Sequence, residues 1–78
     1  MTALARPVAA SSLSRIEGQV LRTVRWSARE ERWNHPTLSQ LRAFGFVTSE
    51  PVLVRGKAGQ NNRWSITDAG IAAYTQWR

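Results

Sequence analysis

The chain has 78 residues, eleven Lys and Arg against five Asp and Glu, a formal charge of +6, and no cysteine. That length permits one small domain with a thin core, and 42% apolar residues argue against wholesale disorder. Disulfides, thiolate metal centres and cysteine nucleophiles are excluded, as is a membrane-spanning segment, because no apolar run approaches the roughly 20 residues required.

The charge excess points to a polyanionic partner, with nucleic acid ahead of an anionic membrane surface. Ten of the eleven cations are arginine and only Lys57 is lysine. Arginine suits bidentate phosphate and guanine contacts. A GC-rich genome would also favour arginine, but would not create the positive excess.

Residues 1–12 are small and weakly apolar around Arg6-Pro7 and read as a flexible arm; residues 13–78 make the domain. Ser14 and Glu17 form a capping box that starts a first helix, with Leu13 positioned to staple its first turn. Ile16, Val20, Val24 and Ala28 recur at helical spacing, with Leu21 on the flank. Arg15, Arg22, Arg25, Arg29 and Arg32 share the opposite side, a phase that predicts a long helix reaching about residue 30. Ser27 and Glu30 repeat the capping pattern and allow a break near Trp26. The arginine stripe is either an ordinary solvated face or a landing surface for an anion.

Asn34-His35-Pro36 is loop and helix-start chemistry, with His35 as a loop or cap residue. A short helix over 36–44 follows. Leu38, Leu41 and Phe44 mark its buried side, Gly45 ends it, and Ser39, Gln40 and Ala43 face outward with Arg42 at the edge. A strand pattern from Phe46 to Arg55 is interrupted at Glu50-Pro51. Residues 56–62 consist of turn formers, and Arg63-Trp64-Ser65-Ile66 returns. Placing Arg55 opposite Arg63 sets Val54 against Trp64 and Val52 against Ile66, one apolar face of a two-stranded ribbon. Thr67 then caps a last helix, with Asp68 in its first turn, running to about Trp77.

Leu38-x-x-Leu41-x-x-x-Gly45-Phe46-Val47 resembles a recognition helix running into a wing. Trp64-Ser65-Ile66-Thr67-Asp68-Ala69-Gly70 resembles the return strand and the helix start that follows it. In this order, separated by a basic Gly/Asn-rich segment, they are similar to the MarR-type and PadR-type winged-helix regulators over residues 36–77. The resemblance implies an α+β winged-helix-like fold: a long first helix, a short recognition-type helix, a two-stranded β-hairpin wing and a C-terminal helix. It also implies groove contacts from Ser39, Gln40 and Arg42. Upstream, residues 14–35 are about one helix short of the family pattern. Either Ser27–Trp33 forms a very abbreviated second helix, or that helix is absent.

In an anion-binding wing, backbone N–H groups and flanking cations approach phosphates. Arg55, Lys57 and Arg63 surround Gly56, Gly59, Gln60, Asn61 and Asn62 in this manner, and Gln and Asn can also bond base edges. Opposed Arg55 and Arg63 would repel unless an anion lay between them. Of the four tryptophans, Trp64 reads as core and Trp77 as packing for the last helix or a partner. Trp26 and Trp33 project near the arginine side of the first helix. Packing against the wing or tail is the first expectation for them; stacking on a base, receiving an arginine or sitting in an interface are the others.

No acid pair, nucleophile–base set or ligand cluster supports catalysis or metal binding, so neither an enzyme nor a cofactor is expected. The sequence predicts a cytoplasmic, bacterial or phage-type DNA-binding regulator or accessory factor, with duplex DNA as partner and homodimerisation to enlarge the contact area. A protein-binding inhibitor or adaptor on the same scaffold, using Trp26, Trp33 and the arginine stripe, is the alternative.

Overall fold

The computed structural model describes residues 13–78; the arm read in residues 1–12 lies outside them. The elements run α1 (Arg15–Trp26), β1 (Arg29–Arg32), α2 (Pro36–Ala43), β2 (Val47–Val54), β3 (Lys57–Ile66) and α3 (Asp68–Trp77). The class is α+β as expected. The sheet, however, has three antiparallel strands in the order β1-β3-β2, not the two of a lone hairpin.

The capping box sets the start of α1: Ser14 Oγ accepts from the Glu17 N–H at 3.1 Å and Glu17 Oε1 accepts from the Ser14 N–H at 2.8 Å. The helix ends at Trp26, short of residue 30, because Ser27 turns to extended backbone (φ −161°, ψ 148°). A continued helix would drive Glu31 into the apolar face. In the extended chain Arg29 and Glu31 instead share one side and form an ion pair, and Arg29 also donates to Thr23 Oγ1 at 3.1 Å. Residues 29–32 therefore form a strand on β3, with Arg29 opposite Trp64 and Arg32 opposite Asn61. No abbreviated second helix exists there. The buried face of α1 is also rotated from the expected one. Gly18, Leu21 and Val24 are buried, while Ile16 is 64% exposed.

His35 caps α2, its Nδ1 accepting from the Leu38 N–H at 3.2 Å, and Pro36 takes the first turn, where a missing N–H costs nothing. The helix stops at Gly45 (φ 83°). There the Gly45 N–H bonds Arg42 O at 2.9 Å and the Phe46 N–H bonds Leu41 O at 3.0 Å, which satisfies carbonyls that a free helix end leaves orphaned. Thr67 then links this end to α3. Its Oγ1 donates to Gly45 O at 2.7 Å and accepts from the Gly70 N–H at 3.0 Å, and its N–H bonds Phe46 O at 3.0 Å.

The hairpin register differs from the expected one. Val47 lies opposite Ile66, Ser49 opposite Trp64, Glu50 opposite Arg63 and Val54 opposite Lys57. Arg55 and Arg63 are therefore not partners, and no anion site lies between them. The reason is the turn: Arg55 (φ 54°) and Gly56 (φ 79°) are both left-handed, a two-residue mirror-type turn whose twist matches the strands. Gly59-Gln60-Asn61-Asn62, expected in a loop, belong to β3. Pro51 does not break β2, because an edge strand tolerates a proline. The register does slip beyond it: from Pro51↔Asn62 to Leu53↔Ala58, β2 advances two residues while β3 advances four.

All helices pack on the core, which comprises Leu13, Leu21, Val24, Leu38, Leu41, Phe46, Val47, Trp64 and Ala73, with Val20, Phe44, Ile66, Tyr74 and Trp77 half-buried around it. Trp64 and Ile66 lie on the buried side as expected; Val54, expected beside them, is exposed. The α1–α3 crossing is close, since a Cβ on Gly18 would collide with the Trp77 indole.

Candidate functional site

The nine residues expected to meet nucleic acid fall into three groups. The first is the seam between α2 and the sheet. Arg42 leans onto the sheet from the end of α2: its Nη1 donates to Ser49 Oγ at 3.0 Å, and its guanidinium lies 5.4 Å from the centre of the Trp64 ring, within cation–π range. Asn62 Nδ2 donates to the same Ser49 oxygen at 3.3 Å. Trp64 Nε1 donates to Glu31 O at 3.3 Å, so the seam runs across all three strands. Ser39 is half-buried on α2 and Gln40 is exposed. Sequence reasoning missed Ser49, because its place in the seam depends on a register that only the turn geometry sets.

The second group lies on the opposite side of the sheet. Alternation along β3 directs Arg63 and Asn61 away from Trp64 and Asn62. Arg63 stands between Glu30 of β1 and Glu50 of β2, with its Nη2 3.8 Å from Glu30 Oε2. It is a cross-strand charge partner and does not meet Arg55. Gln60, by the same alternation, belongs on the Trp64 side with the first group, and its carbonyl accepts from the Trp33 N–H at 2.9 Å, extending the β1–β3 ladder.

The third group is the hairpin tip, where Arg55, Gly56 and Lys57 are exposed. Leu53 and Val54 beside them are 65% and 59% exposed. A non-glycine residue at φ 54° stores strain of roughly 1–2 kcal/mol, and turns of this type favour Asn or Asp at Arg55's position.

The expected second surface is divided. Arg15, Arg22, Arg25 and Trp26 share one flank of α1, within about 100° of arc. Arg29 and Arg32 lie on β1, and Trp33 beyond it. Neither Trp26 nor Trp33 packs away: they are 75% and 56% exposed. Beside Trp26 the helices leave a cleft of about 180 Å³ lined by Arg25, Trp26, Tyr74, Thr75 and Arg78. Tyr74, Thr75 and Arg78 were not singled out from the sequence. Tyr74 and Arg78 stand four residues apart, hence on one helix face, but their facing Arg25 depends on the close crossing at Gly18.

Among the described residues, the ion pairs are Arg29–Glu31 and Arg63–Glu30, so the α1 arginines, Arg42, the tip cations and Arg78 have no carboxylate partner. No group of three or more His, Asp or Glu among the described residues could hold a metal ion. No described helix is long and apolar enough to cross a membrane. Compared with protein-family models, curated proteins and solved structures, the chain matches none of them.

Proposed function

We propose that the chain is a small winged-helix-type DNA-binding protein, a transcriptional regulator or accessory factor without catalytic activity, acting in the cytoplasm. In this reading α2 is the reading helix, presenting Ser39 and Gln40 with Arg42 at its edge, and the β2–β3 hairpin is the wing. The observation that carries it is the tip, where an arginine occupies a left-handed backbone position at the exposed end of a hairpin. Folding alone favours another residue there, so a contact made by the guanidinium is the reason to keep it. Lys57 beside it and Arg42 at the edge of α2 supply further phosphate contacts, doubled in a dimer. A homodimer would give one such module the contact area it lacks alone.

Fluorescence anisotropy with a short random-sequence duplex at several salt concentrations tests this. Roughly 4–6 phosphate contacts give a slope of log K against log salt of about −4 to −5. Absence of binding at low salt refutes it. It would favour the second reading, a protein-binding inhibitor or adaptor, whose support is the exposed Leu53 and Val54 at the tip and Trp33 beside the sheet.

A further inference from the structure

The α1–α3 flank carries chemistry that a duplex-binding wing does not use. Arg15, Arg22, Arg25 and Trp26 run along one side of α1, and α3 adds Tyr74, Thr75 and Arg78 across a cleft of about 180 Å³. None of these arginines has a carboxylate partner among the described residues. Trp26, which lines the cleft, is 75% exposed, an apolar surface left largely uncovered by the other described residues. Thr75 is already committed, its Oγ1 donating to Ile71 O at 2.9 Å, so the charged donors at the cleft are the Arg25 and Arg78 guanidiniums, with the Tyr74 hydroxyl and the Trp26 indole N–H beside them.

We propose that this flank is a binding site for single-stranded nucleic acid, independent of the wing. One base enters the cleft and stacks on the Trp26 indole near the Tyr74 ring. Its phosphate is held by Arg25 and Arg78, and the next phosphates follow Arg22 and Arg15 along α1. The stripe from Arg15 to Trp26 spans about 17 Å at 1.5 Å per residue, enough for two to three extended nucleotides. Single-strand sites combine a cationic track with an aromatic platform in this way. A protein partner fits less well. The centre of a protein interface is depleted of charge, whereas this arc carries three arginines and no exposed aliphatic side chain; the exposed Ile16 lies on the other flank of α1. A duplex fits less well too, since its bases are already stacked and leave Trp26 uncovered.

The test is anisotropy with labelled oligothymidylate and with an abasic strand of the same length, which keeps the phosphates and lacks the bases. The expected result is that the abasic strand binds about tenfold or more weakly, and that Trp26→Ala weakens oligothymidylate by a similar factor while leaving the abasic strand unaffected. Trp26 is exposed, so the variant keeps the wild-type melting temperature, checked by circular dichroism. Arg25→Ala should weaken both strands, and Arg55→Asn at the wing should leave oligothymidylate binding unchanged. Equal affinity for the two strands, or unchanged oligothymidylate binding by Trp26→Ala, overturns the proposal. So does displacement of oligothymidylate by a poly-glutamate peptide at equal concentration, which would assign the flank to acidic protein. Duplex binding by Trp26→Ala reports separately on the wing.

Discussion

Arg55→Asn separates what the hairpin tip does for folding from what it does for binding. Arg55 has φ 54° and Gly56 φ 79°, so the wild-type turn places a β-carbon in the left-handed region at a cost of roughly 1–2 kcal/mol. Asparagine tolerates that region through local hydrogen bonding and recovers about half of the cost, a gain of about 0.5–1 kcal/mol. For a domain this small, the melting temperature should rise by about 2–8 °C, read by circular dichroism at 222 nm, the usual helix band. Arg55→Gly relieves the same strain but loosens the unfolded chain, and should come out near neutral. If the guanidinium meets a phosphate, Arg55→Asn also makes the salt slope of duplex binding less negative by about 0.9. A rise in stability with loss of duplex affinity fits a tip kept for contact. A fall in melting temperature would refute the strain argument, and unchanged duplex affinity would refute the contact.

Trp64→Ala should cost about 3–5 kcal/mol, since it empties a fully buried site and removes the indole under Arg42; thermal unfolding near wild type would contradict the seam. Gly18→Ala should lower stability by about 1–3 kcal/mol through overpacking against Trp77, despite the better helix propensity of alanine; a rise in denaturant midpoint would mean that α3 docks loosely. Thr67→Ala, losing both the cap and the bond to Gly45, should cost about 1–2 kcal/mol, measured by urea titration, and no change would show the link to be ornamental. Arg63→Glu sets three glutamates side by side across the sheet and should destabilise by about 1–2 kcal/mol at low salt, and less at high salt; salt-independent loss would point to packing instead.

The helix starts and the end of α2 were readable because their chemistry is local. The Ser14–Glu17 box, Pro36 with Gly45 around α2, and Thr67 ahead of α3 each act through a partner within a few residues. Strand β1 was not readable. Arg-Glu-Glu-Arg has no apolar alternation, and its arginines continued the helical phase of Arg22 and Arg25. It is a strand because β3 offers a free edge, a long-range fact. The register failed for the opposite reason. Gly59 to Asn62 look like turn formers and Arg55-Gly56 does not look like the usual Asn-Gly, so composition pointed to the wrong place for the bend. Every facing pair then shifted, Arg63 acquired glutamates as neighbours, and the α1–α3 cleft, which depends on a glycine crossing, gave no sign in the sequence.

The strand order β1-β3-β2 leaves two open edges on a protein with a thin core, and each edge is guarded against joining another chain. β1 is four residues long and wholly charged, Arg29-Glu30-Glu31-Arg32, which discourages an incoming strand. β2 is longer and ends in Val52-Leu53-Val54, a run that would template edge-to-edge assembly, but Pro51 precedes it and the ladder slips there. The exposed apolar hairpin tip can thus stay open to solvent without becoming a seed for polymerisation. Replacing Pro51 with valine would repair the ladder and remove that guard: the native fold would be retained, while the protein became prone to concentration-dependent fibrils.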